Sequence, residues 1–231
     1  MSTILFVMTG ADHWTLADGS KHPTGYWAEE VVAPYRAFKD VGHEIVVATP
    51  GGVVPTVDQG SLAPEVNGGP ERAKEIAATL RAATELAHPI RLDEVNLDDY
   101  DAVYYPGGHG PMEDLAVDVT SGALLTAALA TGKPLGVVCH GPAALLATSD
   151  AEGRSPFAGY RIAAFTNAEE TQAGLADKAK WLLQDRLIAM GLDVEEGEPW
   201  APNVQVDRNL YTGQNPASSD PLAALMVQAL H

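Results

Sequence analysis

The sequence predicts an α/β fold, a mostly parallel sheet covered on both faces by helices. Three observations predict it. Short runs suited to strands buried on both faces recur at residues 4–8, 44–48, 102–105 and 134–138. Stretches with helical spacing separate them, the alternation that parallel strands need for their crossovers. The two turns richest in chemistry, 106–110 and 139–142, each follow such a run, where an open α/β sheet carries its ligands.

Residues 4–8 read as a buried first strand because every position is apolar. A loop rich in turn residues continues from Thr9 to Gly25. Residues 27–41 carry helical spacing, with Val31, Val32, Tyr35 and Phe38 on one face and Gly42 placed to end the helix. The second strand is 44–48. The density of Gly and Pro over 51–70 predicts a second surface excursion, after that at 10–25. An alanine-rich, charge-studded pattern predicts a helix over 71–87. Asp98, Asp99, Tyr100 and Asp101 lead into the third strand, 102–105. Residues 115–131 are expected to be helical with a break near Thr120, Ser121 and Gly122. The fourth strand is 134–138, and 143–147 favour helix after the turn at Cys139. A fifth apolar segment spans 161–165. Residues 177–190 read as an amphipathic helix turning Ala179, Leu182, Leu183, Leu187 and Ile188 inward, ended by Gly191. Short strands at 204–206 and 209–212 join at Asp207 and Arg208. The last helix, 216–230, starts with Asn215 as cap and Pro216 in its first turn. One domain over 1–231, without internal repeats, accounts for this pattern.

Composition narrows the function. Hydrophobic residues make up 46% of the 231, enough for a sizeable core. Against 31 acidic residues stand 14 basic ones, a net charge of −17. Such a surface repels phosphate backbones and anionic membranes, so neither nucleic acid nor a membrane is an expected partner. The single cysteine excludes an internal disulfide and a multi-cysteine metal cluster, and suits a reducing compartment. The N-terminal run has no basic flank and is too short for a signal peptide. No stretch approaches the roughly 20 apolar residues of a membrane helix. A soluble, cytoplasmic protein is expected.

The candidate chemistry centres on Cys139. Leu135, Gly136, Val137 and Val138 precede it; His140, Gly141 and Pro142 follow. A lone cysteine is ordinarily a small buried hydrophobe. Strand, sharp turn and helix put this one at the apex of a nucleophile elbow, with sulfur in place of oxygen. A helix N-terminus favours thiolate over thiol. Gly107 and Gly108, in the turn ending at His109 and Gly110, leave backbone N–H groups for a ligand oxygen, a candidate oxyanion hole. Adjacent residues on a sharp turn point apart, so His140 need not touch the sulfur, yet it can relay protons if a carboxylate orients it. Glu169 or Glu170, just past the fifth segment, is placed to do so; acidity at a helix start explains both equally well. Of Glu29 and Glu30 only one can point inward, since helix neighbours diverge by about 100°. A carboxyl kept neutral by burial could bond the thiol and pass a proton. The loop 211–219 is a possible pocket lining or simply a strand exit and helix cap. His13, His22, His43 and His88 lack metal-ligand spacing and read as surface residues. No H-E-x-x-H, phosphate loop or dinucleotide fingerprint occurs.

Pro106-Gly-Gly-His-Gly110, Val138-Cys-His-Gly-Pro-Ala143, Phe165-Thr-Asn-Ala-Glu-Glu170 and Thr212-Gly-Gln-Asn-Pro-Ala-Ser218 together resemble the ThiJ/PfpI superfamily, with its flavodoxin-like, class I glutamine-amidotransferase-like fold. With Thr24 and Gly25 ahead of Glu30, the pattern is similar to the heat-shock chaperone and glyoxalase III branch, over nearly the whole chain. The resemblance implies Cys139 as nucleophile, His140 and Glu170 completing a triad, and Glu30 as the buried carboxyl at the sulfur. Glu29 stands where relatives usually have an apolar residue. Amidotransferases carry His-Pro-Glu near the C-terminus; Asn215 and Pro216 stand here, so glutamine hydrolysis is not expected. The implied activity is a glutathione-independent conversion of methylglyoxal, a small 2-oxoaldehyde, to lactate. Backbone N–H groups near Gly108 and His140 would hold the oxyanion, and His140 or Glu30 would serve as base. No metal or organic cofactor is expected, because sulfur makes the carbon acidic enough for a positioned base; the zinc site of some larger relatives cannot be placed on these histidines. The competing roles are a stress chaperone or redox sensor acting on unfolded clients with little turnover, and a PfpI-type peptidase. A homodimer is carried over from the same resemblance.

Overall fold

A computed structural model describes residues 1–230. Its elements are, in order, β1 (Thr3–Val7), β2 (His13–Thr15), β3 (Lys21–Pro23), α1 (Ala28–Asp40), β4 (Glu44–Thr49), α2 (Pro70–Ala82), α3 (Thr84–Ala87), β5 (Ile90–Arg91), β6 (Ala102–Tyr105), α4 (Gly110–Glu113), α5 (Val119–Thr131), β7 (Leu135–Val138), β8 (Arg161–Ile162), α6 (Asn167–Gln172), α7 (Leu183–Ala189), β9 (Asp193–Val194), β10 (Val204–Asp207), β11 (Leu210–Gly213) and α8 (Ser219–Ala229). Seven strands form one sheet in the order β10-β11-β7-β6-β1-β4-β5. All neighbours are parallel except the edge hairpin β10–β11. From β1 the chain moves outward to β4 and β5, then returns to β6 on the other side of β1. The order therefore reverses between β1 and β6, and the crevice beyond their carboxyl ends is the natural ligand position. The expected α/β class is thus the observed one.

Two adjacent tyrosines show how the sheet is sandwiched. Side chains alternate across a strand. Tyr104 reaches one layer, its hydroxyl donating to Glu30 O of α1 at 2.8 Å. Tyr105 reaches the other, its hydroxyl 3.0 Å from Ser121 Oγ of α5. Around Tyr104 the core is aromatic, with Phe6 at 4.9 Å and Phe38 beyond it at 6.1 Å between ring centroids. Burial of such large side chains contributes about 1.5–3 kcal/mol each. No helix among the described residues is long and apolar enough to cross a membrane.

Several elements differ from the sequence expectation, each for a visible reason. The excursion after β1 contains an antiparallel hairpin, β2–β3. The helix expected over 71–87 breaks at Ala83 (ψ 88°), where Glu85 is drawn to Lys39 and Tyr35 of α1. The break expected at 120–122 lies earlier: the Asp118 side chain accepts the Ser121 N–H and starts α5 at Val119. Gly122 sits inside that helix because a Cβ there would lie 2.1 Å from Ala147 O. Only 161–162 of the fifth segment form a strand, paired with β9 outside the main sheet. The helix expected over 177–190 is confined to α7, with Ile188 turned out to 52% exposure rather than inward. His43, read as a surface residue, is buried and accepts the Ser2 N–H.

Candidate active site

Cys139 follows β7 with φ +58°, a left-handed conformation that non-glycine residues rarely adopt. Two backbone bonds hold it there. Its N–H donates to Gly213 O at 2.9 Å, and its carbonyl accepts from Phe165 N at 3.0 Å. The next segment, Gly141–Thr148, is a 3-10 turn rather than the expected α-helix. Gly141 allows the close approach: a Cβ there would lie 2.6 Å from Tyr105 O. The side chain is 3% exposed. Burial first, then the charge of Glu30 and a hydrogen bond to it, push the thiol well above its ordinary pKa; the Gly108 N–H donating to sulfur opposes them. The expectation of a thiolate at rest, drawn from helix polarity, is therefore corrected: desolvation and the neighbouring acid outweigh the weak dipole of a 3-10 turn.

Glu29 and Glu30 lie in the first turn of α1 and diverge. Glu29 pairs with Arg72 at 2.8 Å. Glu30 is fully buried and accepts the Gly107 N–H on Oε2 at 2.7 Å. Its Oε1 has no nitrogen or oxygen partner, and the Cys139 thiol is the carboxyl's other side-chain contact. Burial pushes Glu30 up to about 8, against the opposing bonds from Cys139 and Gly107. Gly107 was expected to serve an oxyanion. Its N–H is instead committed to Glu30, which leaves Gly108 as the glycine N–H at the sulfur.

His140 touches the sulfur after all. Its backbone turns right-handed directly after the left-handed Cys139 and brings Nδ1 to 3.3 Å from Sγ. Its Nε2 lies 2.7 Å from Glu170 Oε2. Burial, then the charge of His109, lowers the His140 pKa, while Glu170 works the other way. The imidazole is therefore neutral at pH 7, with one nitrogen at the sulfur and the other on a carboxylate.

Glu170 holds two histidines. Its Oε1 is 2.8 Å from His109 Nε2. His109, the residue after the paired glycines of the candidate oxyanion turn, directs Nε2 to this carboxylate and stacks on Trp14 at 4.9 Å. Burial alone raises a carboxyl, but His140 and His109 more than offset it and keep Glu170 well below the usual carboxylate range. Glu169, the other candidate, closes a capping box with Thr166 and binds Trp200 N and Asn215 Nδ2. His109, His140 and Glu170 bring donor atoms within 4.8 Å of one another, the one such group among the described residues. Those atoms already bond one another, so a metal would have to displace the hydrogen bonds.

Replacing Glu170 by Gln is expected to lower the His140 pKa further, read by imidazole NMR, because the raising charge is gone. The depressed pKa of the Glu170 carboxyl contributes stability that is present above pH 4.5 and lost as pH falls through the folded value. The variant should thus be about 1–3 kcal/mol less stable at pH 7, and urea unfolding should show that deficit shrinking below pH 4.5.

Over the sulfur lies a pocket of about 70 Å³ walled by Trp27, Phe165, Ala173, Trp200 and Pro216. A wider cleft of about 620 Å³ adjoins it, sharing Trp27, His109 and Ala173 and carrying Asp12, His22, Asp58 and Lys178. Gly25 joins the loops beneath: a Cβ there would lie 1.8 Å from Thr56 O, and Gly25 O accepts the Gly110 N–H. Trp14 and Trp200 are absent from the motifs that mark the site in the sequence. For Trp14 a signal existed, Asp18 and Gly19 as a hairpin turn between flanking strand-like triplets. Trp200 lies in an irregular loop with no periodicity to read.

Residues 22–172, more than half of the chain, match the family described as ThiJ/PfpI family-like. A protein/nucleic acid deglycase HchA from Staphylococcus aureus (strain Newman) is 26% identical over 98% of this chain and 79% of its own length. The glyoxalase III crystal structure from Candida albicans superposes with a TM-score of 0.85 at 26% identity, covering 100% of this chain and 98% of that one. The Rapid Encystment Protein 24 KDa structure from Francisella tularensis gives 0.87 at 27% identity, covering 100% of both.

Proposed function

Because this chain belongs to the ThiJ/PfpI family, we propose that it is a glutathione-independent glyoxalase converting methylglyoxal and water to lactate and a proton. The observation that carries this reading is a sulfur flanked by two proton carriers of opposite character: Glu30, raised to about 8, and His140, lowered and neutral. Glu30, as carboxylate, takes the thiol proton while sulfur bonds to the aldehyde carbon, then gives it to the aldehyde oxygen. Gly108 N–H, which bonds the sulfur, would serve as donor to that oxygen. Neutral His140, braced by Glu170, removes the carbon-bound proton at Nδ1 to form an enediol and returns it to the neighbouring carbon. The hydroxyl proton of the first oxygen passes to the second. The result is a thioester, which water cleaves to lactate and free thiol. Sulfur and a positioned base suffice for this carbon acidity.

The small aromatic-walled pocket suits a compound of a few carbons and argues against a peptide in the same place. A second reading, release of a small carbonyl compound from an amine adduct, is favoured by the wide cleft beside the pocket and by the printed name of the staphylococcal relative. The net charge of −17 directs that reading to adducts other than those on nucleic acid. Lactate formed from methylglyoxal in glutathione-free buffer is the test. A protein that leaves methylglyoxal unchanged at stoichiometric concentration would remove the proposal.

A further inference from the structure

We infer that Trp200 sets the upper size of the carbonyl compound that reaches Cys139; this rests on the pocket over the sulfur being the substrate site. Trp200 has φ +64°, a backbone angle that glycine takes without strain and a bulky residue does not. The largest side chain thus stands where the backbone disfavours any side chain. It is held there from both ends. Its N–H donates to Glu169 Oε1 at 2.9 Å, and its indole N–H donates to Gln172 Oε1 at 2.6 Å. Glu169 is fully buried and fixed through its other oxygen by Thr166. The ring meets Phe165 edge-on at 5.5 Å, and Phe165 lies 4.3 Å from the His140 ring.

Trp200 lines the pocket and is itself 44% exposed. It is therefore a pocket wall that also reaches water. Trp27 forms another wall, but its N–H donates to Gly107 O and so belongs to the loop that holds Glu30. The Trp200 side-chain hydrogen bond goes to Gln172 and its ring contact to Phe165, rather than to Cys139, His140, Glu30 or Glu170. Its truncation enlarges the pocket without removing a direct partner of any proton carrier; Phe165 remains between Trp200 and the His140 ring.

The test compares methylglyoxal with phenylglyoxal. Trp200→Ala should raise the phenylglyoxal to methylglyoxal ratio of kcat/KM by about 10-fold or more, the scale on which apolar pockets discriminate size. Trp200→Phe should fall between, and it serves if the alanine variant folds poorly. A ratio unchanged within about twofold would overturn the inference. The same filter is read without turnover, because Cys139 is the only thiol. Trp200→Ala should accelerate alkylation by iodoacetanilide about 10-fold more than by iodoacetamide. Equal acceleration of both reagents would overturn it. Wild-type protein inert to every 2-oxoaldehyde would remove the proposed activity, and the alkylation pair would still decide the role of Trp200.

Discussion

Cys139→Ala is expected to abolish lactate formation, lowering kcat by at least about 10³-fold, the scale seen when a nucleophile is removed. Every later step is built on the carbon–sulfur bond, so neither Glu30 nor His140 retains anything to act on. Cys139→Ser separates nucleophilicity from packing. The hydroxyl fills nearly the same space at φ +58°, but holds its proton too tightly for Glu30 or His140 to take. Serine should therefore be as inactive as alanine while keeping wild-type unfolding behaviour. Initial-rate measurements decide it, and alanine activity within tenfold of wild type would remove the nucleophile assignment.

Glu30→Gln is expected to cost about 10²–10⁴-fold in kcat/KM, the usual contribution of a positioned acid–base group. Glutamine fits the buried site and still accepts the Gly107 N–H, but it carries no proton between sulfur and oxygen. Wild-type kcat/KM should rise with pH to an inflection near 8, where Glu30 ionises, and the variant should lack it. Stability gives an independent sign. The folded pKa lies above 4.5, so folding favours the protonated carboxyl. That stability is fully present below pH 4.5 and is lost as pH rises toward about 8. The variant should gain on wild type by up to about 5 kcal/mol across that window. Urea unfolding of both proteins from pH 4.5 to 8 measures it.

Much of this was legible in the sequence because it depends on local rules. Apolar runs ending in Gly107–Gly108 and in Cys139 placed both turns at one edge of the sheet, and α1 turned one glutamate of its adjacent pair inward. What escaped depends on contacts distant in sequence. Ala179 turns extended, with ψ 141°, just after Lys178 O takes the Ala17 N–H of the hairpin excursion, so the pattern at 177–190 does not run as one helix. Ala163 N–H donates to Thr212 Oγ1 instead of a strand carbonyl, which keeps 163–165 out of the sheet. The resting state of the sulfur is not a local property: polarity at its turn is outweighed by burial and by Glu30, which α1 brings from far earlier in the chain. The second histidine on Glu170 escaped for the same reason: residues 109 and 170 meet only in three dimensions.

The central claim is that Cys139 and Glu30 trade one proton, and its most direct test is the pH dependence of Cys139 alkylation by iodoacetamide in wild type and Glu30→Gln. The account predicts a wild-type rate that climbs to an inflection near 8 and a variant that has lost this inflection. Superimposable profiles in the two proteins would contradict it.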